Sequence, residues 1–173
     1  MVQFRERAAT DLVALAEVAR RVRATDGYPV YLPGDDYERF LTQPVPIGAW
    51  VAEADNGKLA GHVALNLKAS PAVISALRAA GVTGSLGVVA RLLVDPDCRR
   101  TGLGARLLDR ACSEALSLNL VPVLDVVVSS TAAIALYRRQ GWTEVGATWI
   151  EFPDGKRIGE LVFHWTGVGL HRP

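Results

Sequence analysis

The chain has 173 residues, half of them hydrophobic, with 19 basic and 18 acidic side chains and a formal net charge of +1. That length suffices to bury the core of one domain, and the composition is that of a globular protein rather than a disordered or fibrous one. The near-neutral balance gives no electrostatic basis for gripping nucleic acid or an anionic membrane.

Two cysteines, Cys98 and Cys112, make neither a disulfide framework nor a CxxC pair. The three histidines, His62, His164 and His171, are dispersed, so no metal is expected. The start, Met1 to Arg7, is charged and lacks an apolar signal core. No uncharged apolar stretch approaches the length of a membrane span. A cytoplasmic location without membrane attachment is the expectation.

In chain order, residues 2–7 read as an opening strand. Thr10 can cap a helix from about Asp11 to Arg23, with Leu12, Leu15, Ala16 and Ala19 on one face. Ala24 to Gly34, with Gly27, Pro29 and Pro33, reads as a loop, followed by a short helix near Asp35 to Leu41. Trp50–Ala54 and Leu59–Leu67 form a hairpin about Asp55-Asn56-Gly57-Lys58. Ser70-Pro71 opens a brief helix that Gly81 stops.

Leu86 to Val94 is an apolar strand interrupted only by Arg91 and ended by Asp95-Pro96. A longer helix runs from Gly102 to about Leu118, with Leu103, Leu107, Ala111, Ala115 and Leu118 turned inward. Val121–Val128 is a strand, and Ser129 or Ser130 caps a helix to Gln140 that Gly141 ends. A second hairpin, Thr143–Phe152 and Ile158–Trp165, turns at Pro153-Asp154-Gly155-Lys156. No repeat or linker separates these elements, so one α+β domain over residues 1–173 accounts for them.

The chemistry concentrates at Arg99-Arg100-Thr101-Gly102-Leu103-Gly104-Ala105. Glycine-rich turns that open helices bind phosphates, because N–H groups there lack intrahelical partners and the helix dipole favours an anion. A Walker A loop would need Gly-Lys-Ser/Thr, whereas Gly104 is followed by Ala105-Arg106. A dinucleotide fingerprint would need Gly or Ala where Leu107 stands, and a shorter preceding loop. Taken alone, the glycines also fit an ordinary turn.

The run from Leu92-Leu93-Val94-Asp95-Pro96 through Ala105 resembles the central motif of the GNAT superfamily of N-acetyltransferases. That motif is a strand, Asp or His before Pro, Arg/Gln-x-x-Gly-x-Gly/Ala, then a helix. Leu124-Asp125-Val126, Ala133-Ile134-Ala135-Leu136-Tyr137 and Gly141-Trp142 match the family's next strand and helix, and the resemblance spans about residues 2–165. It implies a mixed, mostly antiparallel sheet of about seven strands flanked by four or five helices.

The resemblance also implies acetyl-CoA as acyl donor and a small-molecule or peptide amine as acceptor, which attacks the thioester directly in a ternary complex. It assigns the thioester carbonyl to backbone N–H groups near Leu92, Leu93 and Val94. The diphosphate falls to Arg99, Arg100, Thr101, Gly102, Leu103, Gly104 and Ala105. The pantetheine arm falls to Ser130 and Tyr137, although the family often has Asn where Ser130 stands. Tyr137 is the general acid for the departing thiolate, or else packs beneath its helix. Asp125, a lone acid on a strand face with Val123 and Val127, is the candidate base, with a strand-edge position, a structural ion pair or acceptor binding without proton transfer as the other readings.

Glu53 and His62, on the first hairpin, could act through water instead, or His62 is a satisfied core histidine in its apolar strand; Glu151 is a further candidate acid. The irregular segment Ala24 to Phe40, with Tyr28, Tyr31 and Tyr37 and helped by Trp149 and Phe152, is the candidate to select the acceptor, or else its aromatic side chains pack under the loop. Family members often pair through their C-terminal strands, so a homodimer is a further expectation. A non-catalytic CoA-binding module on the same fold is the alternative function.

Overall fold

A computed structural model describes residues 2–167. His171, counted above among the dispersed histidines, lies outside the described residues. The strands are β1 (Val2–Glu6), β2 (Gly48–Ala54), β3 (Leu59–Asn66), β4 (Leu86–Val94), β5 (Val121–Val127), β6 (Trp142–Glu151) and β7 (Arg157–Trp165). The helices are α1 (Leu12–Asp26), α2 (Tyr37–Thr42), α3 (Pro71–Ala79), α4 (Leu103–Ser117) and α5 (Thr131–Arg139). The sheet runs in the order β1-β2-β3-β4-β5-β7-β6 and is mixed, with β4 and β5 parallel and most other neighbours antiparallel.

The chain forms two compact units, and β4 and α4 each contribute to both. The first comprises the chain up to Asn66 together with Val89–Glu114. Its α1 buries Leu15, Val18, Ala19 and Val22 against Leu41, Val51, Leu59 and Leu93, while Leu12 and Ala16 pack at the margin. The helix begins later than a Thr10 cap would place it. The Asp11 carboxylate accepts from the Ala8 N–H at 2.7 Å and from Arg5 at 2.7 and 2.8 Å, holding residues 9–11 in a 3-10 turn. At its other end α1 continues to Asp26, because the left-handed Gly27 (φ 72°) is the residue that stops it.

α4 turns Leu103, Leu107, Leu108, Ala111, Cys112 and Ala115 inward. Leu118, expected on that face, lies beyond the helix and is exposed. Gly61 on β3 is a point of close approach: a Cβ there would sit 2.8 Å from the Leu93 carbonyl oxygen and 2.8 Å from Leu107 Cδ1.

The second unit comprises Leu67–Val88 and the chain from Ala115 onward. Ser70 caps α3 by accepting from the Val73 N–H at 3.2 Å, as the Ser-Pro signal predicts. Val73 and Leu77 then pack on Val88, Val123 and Val162. β5 runs parallel to β4 over Leu86–Val88 and Val121–Val123, and antiparallel to β7 from Val123–His164 to Val127–Glu160.

Candidate functional site

In the first unit, the end of β4 leads into the glycine turn. Asp95 terminates the strand because its carboxylate, 1% exposed, collects the Asp97 N–H at 3.0 Å and Arg21 at 2.9 Å, with Lys58 at 3.7 Å. Pro96–Cys98 follows as a 3-10 turn, and the Thr101 hydroxyl donates to the Cys98 carbonyl at 2.7 Å. Arg100 (φ 59°) and Gly102 (φ 82°) are both left-handed. Alternation of this kind turns successive backbone N–H groups toward one side, a concavity suited to anions. A Cβ at Gly102 would have nothing within 4 Å, so glycine is required there by backbone conformation rather than by lack of room. α4 begins at the next residue.

Arg100 is exposed, whereas Arg99 forms a two-pronged ion pair with Asp26 at 2.8 and 2.5 Å. The guanidinium expected near the diphosphate therefore also braces the last turn of α1.

β4 itself is irregular at one position. Arg91 sits at φ 54° inside the strand, and a left-handed residue there bends the backbone as a bulge does. Its side chain explains the position. The guanidinium donates to the carbonyls of Phe40 (2.8 Å) and Gln43 (2.9 Å) and lies 4.3 Å from the Phe40 ring centre. Leu92, Leu93 and Val94 are thus reached through a bend anchored at the end of α2; Leu93 is buried and its two neighbours are partly so.

His62 is fully buried, with Nδ1 2.9 Å from the Arg91 carbonyl and Nε2 3.2 Å from an Arg7 guanidinium nitrogen. Nδ1 therefore carries the proton and Nε2 accepts. Burial, together with the positive charges of Arg7 and Arg91, pulls its pKa down to about 4. Both ring nitrogens have partners, so His62 supports the β4 bend rather than offering a free base. Glu53 is likewise engaged, by Arg5 at 2.5 Å.

In the segment expected to select the acceptor, Tyr28 meets Phe40 edge-on at 5.6 Å between ring centres, and Tyr37 is buried with Arg20 over its ring. Tyr31 is exposed. Tyr28 and Tyr37 therefore carry packing.

In the second unit, Asp125 is exposed while its neighbours Val123, Leu124, Val126 and Val127 are buried. Ser130 occupies the position before α5, but its side chain makes no capping bond; the cap expected of that hydroxyl is absent. Its carbonyl instead accepts from the Ile134 N–H at 3.0 Å. Tyr137 is buried, its ring 6.1 Å from that of Trp142 and 6.0 Å from that of Phe163. Trp149 and Glu151 lie on the exposed side of β6, with Arg157 over the Trp149 ring.

One acid escaped the sequence reading. Glu160 on β7 is 3% exposed and hydrogen-bonded to Asp125. Burial first, and then the Asp125 charge and that hydrogen bond, push its pKa up to about 8. The signal was available: Glu160 alternates with Ile158 and Val162 on one strand face, the pattern that singled out Asp125.

Residues 14–142 match the model of the acetyltransferase (GNAT) family. The chain belongs to the GNAT acetyltransferase family. No curated protein matches it, but many solved structures share its fold. Arabidopsis thaliana NAA60 in complex with a bisubstrate analogue aligns with a TM-score of 0.71 and 19% identity over 95% of this chain and 97% of that one. The ribosomal-protein-S18-alanine N-acetyltransferase of Escherichia coli gives 0.66 and 21% over 99% and 100%. The PaiA N-acetyltransferase of Thermoplasma acidophilum, in complex with coenzyme A, gives 0.65 and 15% over 95% and 99%.

At these identities the likeness concerns the GNAT fold. Among the described residues, no cluster of three or more His, Cys, Asp or Glu is placed to hold a metal ion. No described helix is long and apolar enough to cross a membrane.

Proposed function

We propose that this GNAT chain transfers an acetyl group from acetyl-CoA to a primary amine by direct attack in a ternary complex. The observation that carries the reading is the turn at Arg100 and Gly102, two left-handed residues immediately before α4 and directly downstream of β4. Acetyl-CoA supplies the acetyl thioester when bound. The N–H groups of the turn, that of Thr101 included, and of the first turn of α4 hold its diphosphate, with the Arg99 and Arg100 guanidiniums adding donors. Backbone N–H groups of Leu92 to Val94, set by the bend at Arg91, donate to the thioester carbonyl oxygen.

Tyr137 delivers a proton to the departing sulfur, and Ser130 contacts the pantetheine arm. Asp125, the exposed acid on β5, takes the proton that an alkylammonium must lose before it is nucleophilic. The relatives named above include an enzyme that acetylates an alanine of a ribosomal protein, which supports an amine acceptor.

The test is steady-state acetylation across small amines and peptides with free N-termini, alongside calorimetry with acetyl-CoA. Tyr137→Phe keeps the ring and its contacts with Trp142 and Phe163, so a loss of turnover in the folded variant reports on the hydroxyl. It loses roughly 10²-fold or more in kcat, the usual scale of a positioned acid. Tight acetyl-CoA binding with no turnover on any amine would instead favour a CoA-binding module.

A further inference from the structure

The antiparallel ladder of β5 and β7 sets Asp125 opposite Val162 and Val127 opposite Glu160. Asp125 and Glu160 are therefore diagonal neighbours on one face, within reach of each other's side chains. That face also carries Val123 and Val162, both fully buried beneath α3. Glu160 lies almost wholly inside, Asp125 opens to solvent, and their side chains are hydrogen-bonded.

Two ionised carboxylates can only accept, so a hydrogen bond between them contains a proton. Burial penalises the charged form, which places that proton on Glu160 and leaves the anion on the hydrated Asp125.

Among the described residues, the elements packed around Glu160 bring no cation to it. On β6 the residue opposite Glu160 is Thr148, flanked on that face by Gly146 and Ile150. On β7 the adjacent face positions are Ile158 and Val162, with His164 beyond. The cation of α3, Arg78, is committed to the carbonyls of Val82 (2.7 Å) and Gly84 (2.9 Å). Among the described residues, Asp125 is the charge that acts on Glu160.

We propose that Glu160 is a positioning residue: from its buried place diagonal to Asp125 it donates its carboxyl proton to that carboxylate, holding it in one orientation toward the acceptor amine. The inference rests on the reading of Asp125 as the acceptor's base. When the ammonium yields its proton, its N–H bond breaks and an O–H bond forms on Asp125, while Glu160 keeps its own. Above pH about 8 Glu160 ionises and Asp125 loses its donor. An alkaline limb in kcat/KM near that pH follows. Glu160→Gln removes the limb, because an amide donates at every pH.

The experiment uses the full chain labelled with carboxyl-¹³C glutamate and aspartate, titrated by NMR, with kcat/KM for the best amine across the same pH range. A glutamate resonance that titrates near 8, vanishes in Glu160→Gln and moves toward the ordinary range in Asp125→Asn is the expected result. Glu160→Gln holds kcat/KM within about three-fold at pH 7 and loses the alkaline limb. Glu160→Leu, folded by its circular dichroism, falls about ten-fold or more, the scale of a lost charge-assisted hydrogen bond.

A Glu160 that titrates in the ordinary range near ~4.3 overturns the proposal. So does an alkaline limb unchanged in Glu160→Gln, or full activity in Glu160→Leu. If the parent turns over but Glu160 titrates ordinarily, the positioning role alone fails. If the parent acetylates no amine, the reading of Asp125 fails, and the positioning role goes with it whatever the titration shows.

Discussion

Gly61→Ala probes the link between core packing and the β4 segment proposed to hold the thioester carbonyl. The added methyl would lie 2.8 Å from Leu107 Cδ1 and 2.8 Å from the Leu93 carbonyl oxygen. Unstrained contacts between carbons need roughly 3.5–4.0 Å. Leu107 can turn its methyl aside at small cost, although it is fully buried. The Leu93 oxygen is backbone and moves only if β4 moves. Overpacking of this kind destabilises by about 1–3 kcal/mol, and a backbone clash belongs in the upper part of that range. For a chain of this length each kcal/mol lowers the thermal midpoint by roughly 2–4 °C, so a fall of roughly 4–12 °C is expected. At a temperature where the variant is folded, its kcat/KM for acetyl-CoA drops about ten-fold, because a sub-ångström misplacement of oxyanion donors is costly. Differential scanning calorimetry and steady-state kinetics read the two effects. A midpoint within about 1 °C of the parent would refute the packing argument. A large midpoint loss with unchanged kinetics would refute the role of Leu93.

Three further outcomes follow from charges placed by the fold. His62 is held neutral with its pKa near 4 against an ordinary 6.5, so the unfolded chain binds more protons between those values. Its contribution is complete above pH 6.5 and is lost as pH falls toward 4, by up to about 3 kcal/mol. Thermal melts across that range should show the loss in the parent and not in His62→Gln. Glu160 acts with the opposite sign: its folded pKa, near 8 against 4.5, makes the folded chain the better proton binder between them. Stability from this group is complete below pH 4.5 and falls as pH rises to about 8, by at most ~5 kcal/mol. The stability of Glu160→Gln relative to the parent should therefore climb from pH 5 to 8 and then level off. Finally, Asp26→Asn releases Arg99 from its two-pronged pair, and acetyl-CoA should bind about two- to five-fold tighter by calorimetry. Unchanged or weaker binding would mean that Arg99 serves α1 alone.

Much of this protein is written locally. β4 falls at Leu86–Val94, where the apolar run between Ser85 and Asp95-Pro96 places it, and both hairpins turn at their Asn-Gly and Asp-Gly signals. Those features depend on neighbours in sequence, as does the left-handed Gly102 before α4. The family resemblance is legible for the same reason, since its motif is a continuous run.

What the tertiary structure decided are the pairings between distant residues. Thr10 reads as a helix cap, yet Asp11 organises that start because Arg5 lies beside it on β1. Arg91 reads as a break in an apolar strand, and only its reach to Phe40 and Gln43 explains a left-handed residue there. Arg99 reads as a phosphate ligand, but Asp26, 73 positions away, also claims it. Glu160 carries no local mark beyond alternation. Its raised pKa comes from burial and from its register against Asp125, because burial and a neighbouring charge act through space and not along the chain.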